Sequence, residues 1–345
     1  MTDNLIEVRG LKKWFPVQKS FVERLVTRRQ QFVHAVDGVD FEIRRGEVFG
    51  LAGESGSGKT TTGRLILRLV EPTEGSILFE GVDLAALSDE EMRRMRQRMQ
   101  AIFQDPFASM NPRMKCGDAI GHSLEIFGVA RGEEKRRRVL EMMERVGLTP
   151  ASILYDKYPH QLSGGQRQRA IIARALMLHP DLVVADEPIA NVDVSVRALL
   201  LQLMLQLKQD FNLTYLFITH DLATAKYICD RIAIMYLGLI CEMGTLEQVY
   251  RNPQHPYTQA LLAAVPVPDP HARRTAPLPK GEIPSPINPP PGCRFHPRCP
   301  FAEEVCSQEL PHLRPVPGDE GHLVACHRMV WLKSVGRPAS AGNPR

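Results

Sequence analysis

Residues 53 to 60 read Gly-Glu-Ser-Gly-Ser-Gly-Lys-Thr, a spacing suited to holding phosphate. Glycines at 53, 56 and 58 let the chain approach an anion, so the loop Gly53, Glu54, Ser55, Gly56, Ser57, Gly58, Lys59, Thr60, Thr61 can turn its amides inward around it. Lys59 would reach the terminal phosphates, and the Thr60 hydroxyl would bind the Mg2+ that accompanies them. A chance glycine-rich turn is the bland alternative, and the flanks speak against it. Glu47 to Ala52 is a short strand-like run leading in, and Lys59 to Val70 reads as a helix with Leu65, Ile66 and Leu69 on one face and Pro72 just past its end. The expected ligand is a nucleoside triphosphate.

A second glycine loop follows, Leu162-Ser163-Gly164-Gly165-Gln166-Arg167-Gln168-Arg169, opening a helix that runs to Leu178. Ser163 alone could also be an ordinary N-cap. The whole octapeptide is a further anion site at a helix N-terminus, although one triphosphate is already provided for. The economical solution is a dimer in which Ser163, Gly164, Gly165 and Gln166 close over a nucleotide bound to the partner.

Two more polar groups end apolar runs. Asp181 to Ala185 reads as a buried strand ending in Asp186 and Glu187, and Thr214 to Thr219 as a strand ending at His220, with a leucine-rich helix from Ser195 to Asp210 between them. The carboxyl ends of strands are where open α/β sheets bind ligands.

Near the C-terminus, Cys293, Cys299, Cys306 and Cys326 follow a C-x5-C-x6-C-x19-C spacing. Small loop-rich units usually need a covalent or metal cross-link, and a cytosolic setting disfavours disulfides. Four thiolates suit a [4Fe–4S] cluster or zinc. The absence of C-x2-C knuckles favours the cluster, and His296, His312, His322 and His327 keep a mixed Cys/His zinc site open. Free cysteines without metal are the third reading. Cys116, Cys229 and Cys241 read as ordinary buried thiols.

The elements that must position these groups alternate between strand and helix from Val8 to about Leu262, the pattern of an α/β fold with a mainly parallel sheet. Between about 105 and 178 the chain reads as helical, a subdomain inserted after the phosphate loop. Seventeen of the 27 prolines fall between Pro253 and Pro317, which no central strand or regular helix tolerates. The expected division is a nucleotide-binding domain over 1–262, a Pro/Cys-rich, loop-rich extension over 263–335 and a disordered tail over 336–345.

With 345 residues, 43% hydrophobic and 24% charged, the composition is that of an ordinary globular chain, and a net charge of +4 is too small to argue for nucleic acid. The arginines of 93–98 read as the solvated face of a helix whose buried stripe is Met92, Met95, Met99 and Ile102. The longest apolar run, Ile232 to Cys241, is too short to cross a bilayer, and the N-terminus lacks a signal-peptide pattern. A cytosolic protein is expected.

The two glycine loops together resemble those of the ATP-binding cassette (ABC) family, a match covering residues 5 to about 260. The resemblance implies a P-loop NTPase of ABC type and an ATPase whose Leu-Ser-Gly-Gly-Gln loop acts across a head-to-tail dimer. It implies that Phe15 stacks on adenine, a position that also reads as core, and that Gln104 helps coordinate Mg2+. It further makes Asp186 the acidic residue that positions Mg2+, Glu187 the general base, His220 the switch histidine at the γ-phosphate and Asp193 a residue crossing the dimer interface. Where the family commonly reads Asp-Glu-Pro-Thr-Ser-Ala-Leu-Asp, this chain has Ile189 and Ala190 in place of the Thr-Ser pair, which bears on coupling between the two sites.

Ala35 to Val39, Tyr158 to Leu162, His255 to Thr258 and the cysteine-bearing extension are similar to the oligopeptide/dipeptide importer branch. That implies a peripheral subunit on the cytoplasmic face of the inner (plasma) membrane. Its implied partners are a second cassette, identical or paralogous, two membrane-spanning permeases and, indirectly, an extracytoplasmic solute-binding protein, with no nucleic acid. Apolar Phe107 and Met110, just after Gln104, are candidates for the permease contact or for packing within the helical subdomain. Other solutes, such as nickel chelates or sugars, and a soluble non-transport ABC ATPase are the alternatives.

Overall fold

The computed structural model describes residues 4–17, 30–105, 109–265 and 281–328. Two long strands open the chain, β1 (Asn4–Pro16) and β2 (Phe32–Arg44), followed by the short buried β3 (Val48–Ala52) and α1 (Lys59–Ile66). β4 (Glu74–Phe79), β5 (Val82–Asp83), α2 (Asp89–Arg98) and β6 (Met99–Ile102) come next. Helices α3 (Cys116–Ile126), α4 (Gly132–Arg145), α5 (Ala151–Tyr155) and α6 (Gly164–Leu176) make up the inserted helical region. The chain then runs through β7 (Leu182–Asp186), α7 (Val194–Phe211), β8 (Thr214–Thr219), α8 (Leu222–Ile228), β9 (Arg231–Tyr236), β10 (Leu239–Thr245), α9 (Leu246–Arg251) and α10 (Pro256–Ala264). Past residue 281 come α11 (Glu304–Gln308), β11 (Arg314–Val316) and β12 (Asp319–Val324).

The strands form two sheets. The smaller has the order β2-β1-β4-β5, and the larger β11-β12-β10-β9-β3-β8-β7-β6, parallel from β9 through β6. Buried on both faces, the central strands are nearly continuous apolar runs, as parallel strands must be. Their alternation distributes the core. Val48, Val183, Tyr215 and Phe217 pack on the side of the helical region, whereas Phe49, Leu51, Val184 and Leu216 pack toward α1 and the smaller sheet.

Two boundaries differ from the sequence reading. α1 ends at Ile66 rather than Val70, because Arg68 takes a left-handed conformation (φ 48°) that no α-helix continues. The methionine stripe is shared between two elements. α2, started by a Ser88–Glu91 capping box, carries Met92 and stops at Arg98, after which Met99 and Ile102 are buried as strand residues of β6. Period 3 to 4 across a helix–strand junction mimics one longer helix.

The segment after 281 is continuous with the larger sheet, for β12 pairs with β10 through Glu242 opposite Val324 and Met243 opposite Leu323. The expected tail over 336–345 lies outside the described residues, as does Phe107. Met110 is 2% exposed and belongs to the core, so packing, not permease contact, accounts for it. Among the described residues no helix is long and apolar enough to cross a membrane.

Candidate active site

Four adjacent parallel strands, β3, β8, β7 and β6, deliver their carboxyl ends to one edge of the sheet. The loop after β3 holds residues 53–58, β7 ends in Asp186 and Glu187, β8 leads to His220, and β6 leads to Gln104. Residues separated by more than a hundred positions in sequence thereby share one row.

The glycine loop is shaped by its surroundings. Gly53 (φ 151°) and Gly58 (φ 108°) adopt conformations that L side chains avoid. A Cβ would also collide with the Met235 carbonyl at the first and the Ala35 carbonyl at the second. Gly58 is the N-cap of α1, so the loop's amides and the helix N-terminus face the same way. Lys59 is 5% exposed, and its Nζ donates to the Gly53 and Glu54 carbonyls, both at 2.8 Å. Burial pulls its pKa below the usual lysine range, opposed by the negative charges of Glu187, Asp186 and Glu54. The Glu54 amide donates to the Tyr257 hydroxyl at 2.9 Å, a contact that the sequence reading missed although Tyr257 lies in a stretch it singled out.

Asp186 is buried at the end of β7, and its Oδ1 accepts a hydrogen bond from the Thr60 hydroxyl at 3.1 Å. Burial, aided by the neighbouring Glu187, raises its pKa, while the Thr60 bond and the cations Arg64 and Lys59 hold it down. An oxygen-only pair of this kind suits a hard cation such as Mg2+.

Glu187 gathers the remaining groups. Gln104 Nε2 donates to its Oε2 at 2.9 Å, and His220 Nδ1 lies 2.9 Å from its Oε1. The glutamate backbone is left-handed (φ 48°), an uncommon and strained state for this residue type, with its amide tied to the Ile218 carbonyl at 2.9 Å. Asn191 Nδ2 donates to the Gln104 carbonyl at 2.9 Å, a second contact not read from the sequence. Its signal lay in the departure from the family pattern at 189–191, where Ile189 turns inward at 6% exposure.

The other expected residues lie elsewhere. Ser163 is the N-cap of α6 in a reciprocal box with Gln166, and Gly164 has open space around its Cα. Ser163 and Gln166 bond each other rather than residues 53–61. Asp193 is an exposed N-cap of α7, and Phe15 stands partly exposed near the end of β1 with Lys13 Nζ 5.1 Å from its ring centroid.

Cys293, Cys299, Cys306 and Cys326 line a single cavity of about 40 Å³ together with Phe295, Phe301 and His296. Burial, helped by the neighbouring thiols and opposed by a hydrogen bond from the Arg328 backbone, pushes Cys326 up to about 12; burial likewise pushes Cys293 up to about 11. Among the described residues no group of three or more His, Cys, Asp or Glu side chains is arranged to hold a metal ion.

Known proteins resemble this chain over most of its length. Residues 36–190 match the family model described as ABC transporter, and residues 241–306 match the oligopeptide/dipeptide transporter C-terminal region. A putative peptide import ATP-binding protein of Brucella abortus is 50% identical over 94% of this chain and 98% of its own length. The oligopeptide transport ATP-binding protein AppF of Bacillus subtilis is 46% identical over 94% of this chain and 97% of its own. The dipeptide transport ATP-binding protein DppF of Haemophilus influenzae is 48% identical over 93% and 96%. Among solved structures, a dimeric ATP-binding cassette in a post-hydrolysis state with ADP and Pi superposes with a TM-score of 0.61 at 28% identity, covering 70% of this chain and 98% of that one.

Proposed function

The chain belongs to the ATP-binding cassette family of transporter ATPases, and from that membership we propose that it hydrolyses ATP to drive import of oligopeptides or dipeptides. The carrying observation is the row Lys59, Thr60–Asp186, Gln104–Glu187–His220 along one sheet edge. It supports binding of the triphosphate by the amides of 53–61, with Lys59 against the β- and γ-oxygens. Thr60, Asp186 and Gln104 would hold Mg2+, which supplies charge neutralisation at the phosphates. Glu187 orients and deprotonates the attacking water, and His220 contacts the γ-phosphate. Phosphoryl transfer to water asks the protein mainly for positioning and charge, which these residues provide.

The exposed Ser163–Gln166 loop and Asp193 would complete the site of a second cassette in a head-to-tail dimer, and Phe15 would stack on adenine. Closure of that dimer biases two membrane permeases between states through the differential affinity of ATP for the closed form. The subunit is accordingly read as peripheral, on the cytoplasmic membrane face, with a solute-binding protein as an indirect partner. The proposed division is an ATPase domain over 1–262, with a helical subdomain over about 105–178, and an extension over 263–335. Reconstitution with the permeases in liposomes tests the reading. Peptide-loaded binding protein should stimulate ATP hydrolysis and peptide uptake, and stimulation by a nickel chelate or a sugar instead would replace the proposed solute.

The cavity bordered by four cysteines supports, as a finer reading, a structural [4Fe–4S] cluster in the extension, with zinc as the alternative. Its apolar lining, from Phe295 and Phe301, suits a cluster shielded from water. Anaerobic purification with iron, sulfide and zinc analysis decides between a brown protein with about four irons, a zinc protein, and a metal-free one that removes the proposal.

A further inference from the structure

Glu54 places a carboxylate inside a loop whose task, on the reading above, is to hold an anion. Left free, that negative charge would repel phosphate and compete for Lys59, whose Nζ already rests on the Glu54 carbonyl. The structure answers this charge from far along the chain. Arg298 Nη1 and Nη2 donate to the two Glu54 carboxylate oxygens at 2.8 and 3.3 Å.

Arg298 is 8% exposed, with its guanidinium near the rings of Tyr236 (5.8 Å) and Phe295 (5.9 Å), so the fork is held in place and largely out of water. A two-bonded guanidinium–carboxylate pair fixes orientation as well as charge. The backbone around Arg298 is held too. The turn His296–Arg298 is closed by bonds from His296 N to Cys293 O, from Arg298 N to Phe295 O, and from Cys299 N to His296 O. Tyr257, from α10, meanwhile accepts the Glu54 amide. Glu54 is thus fixed at its amide, its carbonyl and its carboxylate by three different parts of the chain.

We infer that Arg298 is a positioning residue for ATP binding: it neutralises Glu54 and holds it away from Lys59, so the C-terminal extension completes the phosphate loop of its own chain. The inference rests on the reading of residues 53–61 as the ATP site. It goes beyond that reading in giving the cysteine-bearing segment a direct part in nucleotide affinity.

The test uses the full-length chain, binding of a fluorescent ATP analogue with Mg2+, and steady-state hydrolysis. Arg298→Gln should weaken binding and raise KM about tenfold while kcat changes little, because the lost contact does not touch the reacting atoms. Adding Glu54→Gln to that variant should restore binding to within about threefold of the parent, since the unanswered charge is then gone. Additive losses in the double variant, or parental affinity in Arg298→Gln, would overturn the inference. Should Arg298→Gln fail to fold, Glu54→Gln alone reads the pair from the loop side. It should bind the analogue at least as tightly as the parent, and a tenfold loss would count against the charge argument. Lys59→Ala serves as the separate control. If it retains full binding, the assignment of the ATP site itself fails, whatever Arg298 does.

Discussion

The carboxylate of Glu187 and the imidazole of His220 meet at 2.9 Å although they end different strands, β7 and β8. Gln104, at the end of β6, bonds the second oxygen of the same carboxylate. One glutamate therefore reports the registration of three strand ends, and a shift of any of them would be felt at the group assigned to activate water.

Glu187→Gln preserves the shape of this junction while removing the basic carboxylate. Hydrolysis should fall by about 10² to 10⁴, and binding of the ATP analogue should persist. Under ATP, light scattering should show a dimer that no longer dissociates. Near-normal turnover would take Glu187 out of its role. His220→Ala should also slow turnover, and because Gln104 still holds Glu187, its effect on binding should be smaller than that of Lys59→Ala.

Asn191 stands in a stretch where this chain departs from the usual family pattern, and its side chain holds the Gln104 backbone. Asn191→Ala frees the loop carrying Gln104 without touching phosphate contacts. The expected outcome is a several-fold rise in the Mg2+ concentration needed for half-maximal hydrolysis, with analogue binding at saturating Mg2+ unchanged. An unaltered Mg2+ dependence would show that the contact does not position Gln104.

Much of this site was legible in the sequence because its chemistry is local. Gly53 to Thr60 is contiguous, the apolar runs Leu182 to Ala185 and Thr214 to Thr219 announce buried strands, and the polar residues that end them were named from position alone. What escaped is long-range. The local sequence marks the stretches around Tyr257 and Asn191 as unusual, but neither there nor at Arg298 does it name the partners 203, 87 and 244 positions away. The left-handed backbone of Glu187 was equally invisible, because it is imposed by the turn that places the carboxylate and not by the residue's own preference. The four cysteines sit between these cases: their spacing in a proline-rich, core-poor stretch and the resemblance of that extension point to one site, and they do share a cavity, while among the described residues no metal-holding group is drawn together.

Met110 shows how a loop position next to a functional residue can be misread as surface. It is 2% exposed, and the nearby Ser109 carbonyl accepts from the half-buried guanidinium of Arg174 on α6. Met110→Asp should therefore destabilise the helical region by about 3 kcal/mol or more, seen as a lowered denaturation midpoint of the isolated chain. A variant that melts like the parent yet fails in transport would return Met110 to the contact surface.

The last prediction concerns pH and two buried histidines on opposite sides of one carboxylate. Glu242, fully buried in β10, accepts from the amides of Gln254 (2.6 Å) and His255 (2.9 Å), and His322 Nε2 lies 2.8 Å from it. Burial lowers the pKa of His322, but its bonds to Glu242 and Asp319 outweigh this and leave it raised above 6.5. Among the described residues His255 has no such side-chain hydrogen bond, and Glu242 acts on it only through its charge. Its Nδ1 accepts from the Tyr257 amide at 3.0 Å, and burial pulls it down to about 4. The two contribute to stability with opposite signs. The raised His322 contributes fully below the ordinary value of 6.5, and its contribution fades as pH climbs through its folded pKa. The depressed His255 contributes fully above 6.5, and its contribution is lost as pH falls toward 4. Stability to urea should therefore peak near pH 6.5. His322→Gln should flatten the alkaline limb while lowering the peak, and His255→Asn should flatten the limb between pH 6.5 and 4, where ordinary carboxylates have only begun to titrate. An alkaline limb that survives in His322→Gln would mean that the His322–Glu242 pair is not what makes the fold sensitive to base.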